Sequence, residues 1–159
     1  MSRITPSLWF DNNLEEAMDF YAAIFPDTKI HGMTRYPEGG MGEPGAVMTG
    51  DFELLGQRFN AINGGPNYKF NEAISFIVDC KDQAEVDHYW EKLPADGGTE
   101  IQCGWVRDKF GICWQIVPRA LYRTVTGSDP EGAKRATQVM LKMKKLIVAE
   151  LEAAYEGRG

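Results

Sequence analysis

Histidines and cysteines are the residue types of this chain that could bind a metal or attack a substrate, and their spacing favours neither role. His31 comes just after a predicted first helix and His88 lies on a predicted second helix, so both are expected to be surface or helix residues. The three cysteines, Cys80, Cys103 and Cys113, form no C-x-x-C pair. Their odd number suits a reducing compartment, and each is expected to be a small buried side chain with a free thiol.

The chain has one glycine-rich run, at residues 39–45, which is the other feature that could hold a charged group. A phosphate-binding loop needs glycines that lead from a strand into the N-terminus of a helix. Here the run lies between predicted strands, contains Pro44 and opens no helix. We therefore interpret it as a hairpin connection or the rim of a pocket.

Composition limits the class of protein that must position such residues. The 159 residues are 43% hydrophobic and 25% charged, which is typical of one globular domain with its own core. The net charge of −6 disfavours nucleic acid as a partner, because phosphate binding relies on Lys and Arg. No apolar run approaches the roughly 18 residues of a membrane span, and the N-terminus lacks the apolar segment of a signal peptide. We expect a soluble, cytoplasmic protein without a membrane partner.

An internal repeat organises the chain. A shift of 68 positions superimposes five identical residues without a gap, namely Ser7 on Ser75, Asp11 on Asp79, Asp19 on Asp87, Tyr21 on Tyr89, and Pro26 on Pro94. Each copy reads as a strand followed by an amphipathic helix that a proline ends. The first helix begins near Asn12 or Asn13, and the second has Asp82 and Glu85 at capping-box spacing.

A second echo, at an offset of 55, places residues 55–62 over 110–117 as a glycine turn that leads into a strand. Further strands are predicted near 29–36 and 46–54 in the first copy and near 99–106 in the second. The unit is therefore βαβββ, present twice, at about 1–66 and 67–118. The fold class is α+β, with one domain over 1–118.

Residues 119–159 follow as a helical extension of opposite charge. Residues 1–118 hold 9 basic and 18 acidic side chains, whereas 119–159 hold 8 and 5, giving nets of −9 and +3. Ser128, Asp129 and Pro130 form a strong helix start, and an apolar stripe predicts one helix of about 25 residues that reaches Gly157. This helix must cover its own chain or a second subunit, while its lysines are expected to form a solvated face.

The repeat and its motifs resemble the vicinal oxygen chelate superfamily, whose members include glyoxalases, bleomycin resistance proteins and dioxygenases. The nearest likeness is to its PhnB-like branch, which also carries the name 3-demethylubiquinone methyltransferase-like. The resemblance covers residues 4–118 and rests on the segments at 8–11, 20–21, 59–66, 70–76 and 103–118. It implies that the two modules curl an eight-stranded mixed sheet into a cup.

The resemblance also says where a metal would sit. Metal-dependent members place His, Glu or Gln ligands on the first and last strand of each module, and the equivalent positions here are Thr5, Asn60, Ala73 and Gln115. A hydroxyl, a methyl group and two neutral amides supply no imidazole, thiolate or carboxylate. We therefore predict no metal and no cofactor, and the glycine-rich run disfavours an S-adenosylmethionine site as well.

What remains is a concave pocket of the composition that small-molecule sites have. Alternation along the first and fifth strands turns Thr5, Ser7, Trp9 and Ser75 toward the cup. The resemblance adds the amides Asn60 and Gln115, and Trp105 completes the predicted pocket. An alternative is that Asn60 and Gln115 only satisfy each other or the backbone. Arg107 and Asp108, near the following turn, are expected to form a surface pair.

Three functions stay open at this point. The first is a metal-free homodimer that binds a small molecule, as bleomycin-resistance relatives do. The second is a metal-dependent lyase, dioxygenase or transferase acting on a small oxygenated substrate, with a cation held by residues such as Glu72. The third is a structural or regulatory dimer with a vestigial cup. No catalytic residue can be assigned from the sequence.

Overall fold

The computed structural model describes residues 2–158 and divides into two compact units, one ending at Phe70 and the other beginning at Asn71. Unit 1 contains β1 (Ser7–Phe10), α1 (Leu14–Ile24), β2 (Lys29–Arg35), β3 (Val47–Leu54) and β4 (Gln57–Asn63). Unit 2 contains β5 (Ser75–Cys80), α2 (Gln83–Lys92), β6 (Thr99–Glu100), β7 (Trp105–Arg107), β8 (Cys113–Pro118), α3 (Arg119–Val125), α4 (Pro130–Met140) and α5 (Val148–Tyr155). The predicted α+β class and the two βαβββ modules are confirmed.

Each module folds into its own four-stranded mixed sheet, with the same connectivity in both. The strand orders are β1-β4-β3-β2 and β5-β8-β7-β6. In each sheet the first strand pairs in parallel with the last, and the other neighbours are antiparallel. The parallel pair is possible because a helix connects the first strand to the rest of its module.

Helix α1 forms because its apolar residues recur at helical spacing and cover one face of the first sheet. Tyr21 is fully buried and stacks on Phe52 at 6.4 Å between ring centroids, and Phe52 stacks on Phe59 at 5.5 Å. The last residue of β4, Asn63, binds the first turn of this helix, because its Oδ1 accepts a hydrogen bond from the Leu14 N–H at 3.0 Å. Phe59, Ala61 and Asn63 are the buried residues of β4. The less buried residues between them, Asn60 and Ile62, therefore lie on the face of the sheet that points away from α1.

Helix α2 begins with the predicted cap. The Asp82 carboxylate accepts a hydrogen bond from the Glu85 N–H at 3.0 Å, and the Glu85 carboxylate accepts one from the Lys81 N–H at 2.8 Å. Pro94 follows the helix closely, as in the first module. The repeat seen in the sequence thus corresponds to a repeat of strand and helix.

The prediction of one long helix after residue 129 was wrong, because the chain leaves the helical path between α4 and α5. In this break the Met143 carbonyl accepts a hydrogen bond from the Cys103 N–H at 2.9 Å, and the Lys144 carbonyl accepts one from the Gly104 N–H at 2.8 Å. A continuous helix would have used those carbonyls internally. The break docks the extension on its own unit.

Side chains complete this docking. Leu146 is fully buried in a small core with Met143 and Leu151. The Lys145 Nζ lies 2.9 Å from the Asp87 Oδ1, so this lysine is not simply part of a solvated face as predicted. Hydrogen bonds from Lys145 and then from Gln83 lower the pKa of the Asp87 carboxyl. No helix within residues 2–158 is long and apolar enough to cross a membrane.

Candidate functional site

The face of the first sheet that points away from α1 carries a row of hydrogen-bonded polar side chains. Ser7, Asn60 and Asp51 lie side by side on β1, β4 and β3. The Ser7 hydroxyl donates to the Asn60 Oδ1 at 2.8 Å, and the Asn60 Nδ2 donates to the Asp51 Oδ1 at 3.3 Å. This row can exchange hydrogen bonds with a ligand, because each member keeps unused lone pairs or protons.

Trp9 lies beside this row on β1 and is held in one orientation. Its indole N–H donates to the Gly65 carbonyl at 2.8 Å, and its ring meets the edge of Tyr68 at 4.9 Å between centroids. A Cβ on Gly64 would come within 2.3 Å of the indole, so only glycine allows this approach. The polar edge of Trp9 is therefore satisfied within the chain, and the ring is fixed by its neighbours Gly64 and Tyr68.

The second sheet carries the matching pair on the face that holds the less buried residues. The Gln115 Nε2 donates to the Ser75 Oγ at 2.8 Å, and Trp105 lies opposite Gln115 on β7. The two modules differ in register, since Ser7 lies opposite Asn60 whereas Ser75 lies opposite Cys113. The longer glutamine side chain spans the two-residue slip and restores the contact.

The remaining predicted positions lie outside the strands. Thr5 precedes β1 and is exposed, and Ala73 is an exposed residue of the turn before β5. The amides of Asn60 and Gln115 bond to serines and to Asp51, which corresponds to neither partner named in the alternative interpretation. Sequence analysis missed Asp51, although the alternation of buried and less buried residues along β3 could have placed it on this face.

The expected surface pair of Arg107 and Asp108 was wrong. Asp108 is only 1% exposed, and its carboxylate accepts hydrogen bonds from the Phe110 and Ile112 amides and from the Trp114 indole N–H, at 2.9 to 3.0 Å. Its role is therefore to hold the turn that leads into β8. This turn sets the position of Gln115 along the strand.

Arg107 instead pairs with Glu72, the residue considered above as a cation ligand. A backbone hydrogen bond, followed by the bond from Arg107, lowers the pKa of the Glu72 carboxyl. Beneath this pair, burial raises the pKa of the Cys113 thiol. Glu72 thus has a cationic partner from its own chain, and Cys113 is held as a neutral thiol.

The donor set does not fit a resident transition metal. The four positions that would hold it supply two neutral amides, a hydroxyl and a methyl group. Within residues 2–158, no group of three or more His, Cys, Asp or Glu side chains could hold an ion. No chemistry routed through a metal follows from these residues.

The glycine-rich run forms the connection between β2 and β3, as predicted, and it also borders a cavity of about 650 Å³ in unit 1. The Tyr36 carbonyl accepts a hydrogen bond from the Gly45 N–H at 2.9 Å, which closes the loop. Since the run leads into a strand, it lacks the helix N-terminus that a nucleotide-type cofactor needs. The residues do not fit S-adenosylmethionine.

Comparison with known proteins gives the family. Residues 2–117 match the family model described as 3-demethylubiquinone-9 3-methyltransferase. The PhnB protein of Bacillus cereus, provisionally named for the same methyltransferase, is 34% identical, with a TM-score of 0.66 over 74% of this chain and 99% of its own.

Two further solved structures are more distant. A protein from Pseudomonas aeruginosa is 19% identical, with a TM-score of 0.61 over 74% of this chain and 98% of its own. A glyoxalase/bleomycin resistance protein from Albidiferax ferrireducens is 16% identical, with a TM-score of 0.49 over 74% of this chain and 99% of its own. No protein of curated function shows significant sequence similarity. The chain belongs to the family of that model, the 3-demethylubiquinone-9 3-methyltransferase-like, PhnB-like proteins.

Proposed function

We propose that this protein binds a small molecule without a resident metal and that it does so as a homodimer. The observation that carries the proposal is the serine–amide hydrogen bond on each sheet, Ser7 with Asn60 and Ser75 with Gln115. These bonds occupy the strands on which metal-dependent relatives carry their ligands. Neutral hydrogen-bonding groups beside an indole are suited to recognising a ligand rather than to activating one.

The two pairs favour different ligand groups. Ser7 donates its proton to Asn60, so its oxygen faces a ligand as an acceptor. Ser75 accepts from Gln115, and its own proton has no acceptor among residues 2–158. The first sheet therefore suits a ligand hydroxyl or amine, and the second suits a ligand carbonyl or other oxygen acceptor. Each face, taken by itself, suits a neutral or weakly charged oxygenated molecule.

The homodimer is supported by apolar side chains that the chain itself leaves uncovered. Ile74 and Ile77, at the edge strand β5, are 70% and 57% exposed. Exposed apolar residues on a sheet edge favour association, because pairing removes them from water. We expect light scattering at micromolar concentration to give twice the chain mass. Ile77→Lys should shift the protein toward monomer, whereas Glu91→Lys at an exposed position of α2, away from β5, should not.

Binding is tested by thermal shift and calorimetry on the purified full chain, with a panel of small hydroxy-carbonyl and aromatic compounds. A ligand that binds only the native state raises the melting temperature. Ser75→Ala should raise the dissociation constant of such a ligand by about threefold to tenfold, which corresponds to about one hydrogen bond. The exposed control Ser128→Ala should leave it unchanged.

Metal content decides between this function and a metal-dependent enzyme. We expect elemental analysis of protein purified without chelator to find no stoichiometric zinc, nickel, manganese or iron. One tightly held ion per chain would overturn the proposal. A metal-free dimer that binds no compound of the panel would instead favour a structural role.

A further inference from the structure

The helical extension lies beyond the family match, which ends at residue 117, and it builds a groove of its own. Helices α4 and α5 pack against each other, and α3 packs against both. Their shared core is made of Met143, Leu146 and Leu151. Met143 belongs to this core and also borders the outer groove between α4 and α5.

The groove has an apolar floor and the volume of a small-molecule site. The groove is open to solvent on its outer side and has a volume of about 790 Å³, within the range of roughly 300–1,000 Å³ that such sites have. Val139 and Met143 form one wall, and the small side chains of Ala149, Ala153 and Ala154 form the other. Alanines on α5 leave room that larger residues would have filled.

Cations border this floor at both ends. Arg135 is held by donating from its Nε to the Ala154 carbonyl at 2.7 Å and from its Nη2 to the Tyr155 carbonyl at 2.8 Å. Neither Arg135 nor Lys142 has a carboxylate partner among residues 2–158. Arg135 lies on α4 and Lys142 lies just beyond its C-terminal end. Glu150 is the one carboxylate among the lining residues.

We propose that this groove binds a free medium-chain carboxylate, with the acyl chain on the apolar floor and the carboxylate at a bordering cation. The two cations favour an anion, and the size of the groove suits a small molecule. The site is separate from the two polar sheet faces. It would therefore give the extension a ligand that the shorter relatives, which end with the matched region, do not hold in this way.

The test is calorimetric titration of the full chain with decanoate below its micellar concentration. Decanoate is expected to bind at one site per chain, and decyltrimethylammonium, with the same chain and the opposite charge, is expected to bind at least threefold more weakly. Lys142→Gln should weaken decanoate about twofold to fivefold, as for an exposed ion pair, whereas Lys134→Gln on the outer face of α4 should change nothing.

Ala153→Trp, which fills the floor, should abolish binding, and Ala22→Trp on the exposed face of α1 should not. If Ala153→Trp fails to fold, Ala149→Phe at an exposed position of the same wall replaces it. The proposal is overturned if Ala153→Trp still binds decanoate, or if decyltrimethylammonium binds as tightly as decanoate. It is also overturned if the protein binds anionic lipid vesicles but not free decanoate. These results do not depend on the proposed function, since a protein that binds no ligand at Ser7 or Ser75 can still bind decanoate in the groove.

Discussion

Removal of the buried carboxylate of Asp108 should be among the most damaging single changes in unit 2. Its two oxygens divide the work: Oδ1 accepts from the Phe110 and Ile112 amides at 2.9 and 3.0 Å, and Oδ2 accepts from the Trp114 indole at 2.9 Å. The side chain is 1% exposed, so water has little access to replace it. Asp108→Ala therefore leaves three donors without their acceptor.

The magnitude follows from those contacts. A buried donor without a partner costs about 1–3 kcal/mol, and the Ile112 amide and the Trp114 indole are both buried. The Phe110 amide is only partly buried and can reach water. Removing the buried charge also recovers some desolvation free energy. We expect Asp108→Ala to lower the free energy of unfolding by about 3–5 kcal/mol.

Asp108→Asn separates the two oxygens. An asparagine that keeps its oxygen at the Oδ1 position retains both backbone bonds and places its amide against the Trp114 N–H, so we expect a loss of about 1–3 kcal/mol. Combining it with Trp114→Phe should make the asparagine less costly, because phenylalanine has no donor to oppose. Asp96→Asn at an exposed position is the control, with an effect below about 0.5 kcal/mol.

Urea denaturation followed by far-ultraviolet circular dichroism measures these variants, together with Trp114→Phe alone as the reference for the double variant. The reasoning is refuted if Asp108→Ala costs less than about 1 kcal/mol, or if asparagine costs as much as alanine, since the two oxygens would then have no separate roles.

Three further outcomes can be measured. Gly104→Ala should lower the free energy of unfolding by about 2–4 kcal/mol, because its φ is positive and a Cβ there would lie 2.9 Å from the Leu146 side chain. Gly56 has a similar φ with open space around it, so Gly56→Ala should cost about half as much in urea denaturation. Asp87→Asn should lower the free energy of unfolding by less than about 1 kcal/mol at neutral pH. Because the folded-state pKa of Asp87 is lowered, this difference in stability should disappear as the pH falls below about 4 and the carboxyl takes up its proton. A difference that persists in acid would contradict the ion pair with Lys145. Iodoacetamide at pH 8 should label Cys103 first, as read by peptide mass spectrometry, because burial raises the pKa of Cys80 to about 12; faster labelling of Cys80 would contradict its environment.

The sequence predicted the fold where a pattern was local or repeated. The spacing from Asp82 to Glu85 indicated the start of α2, and the proline at the end of each first helix indicated its stop. The match of Ser7 with Ser75 indicated two equivalent modules. Each of these signals depends on neighbouring residues or on a copy of them, so no knowledge of distant contacts was needed.

The break between α4 and α5 could not be predicted in that way. Its apolar residues keep helical spacing through Met143 and Leu146, which is why one helix was expected. The chain departs from that path because its carbonyls accept hydrogen bonds from Cys103 and Gly104, about forty positions earlier. A tertiary contact outweighed the local preference.

The polar faces were predicted in part. Alternation along the strands indicated the orientation of Ser7 and Ser75, and the family resemblance singled out Asn60 and Gln115. That each serine bonds to one of these amides was not predicted, because the pairing depends on strand register. Asp108 was misread because a carboxylate next to an arginine in a turn normally lies in water. Its burial is explained by tertiary contacts, including the three donors that converge on its carboxylate.

The unequal pairing of β1 with β4 and of β5 with β8 limits how the two halves of such a duplicated chain can diverge. A displacement by two residues returns every side chain to the side of the sheet that it left, so the core survives and only the reach of a polar side chain has to lengthen. A displacement by one would have buried Gln115 and turned Ile116 to water. The strand register can therefore change between the two modules only by an even number of residues. Asn60 in one module and the longer Gln115 in the other reflect one such change, by two residues.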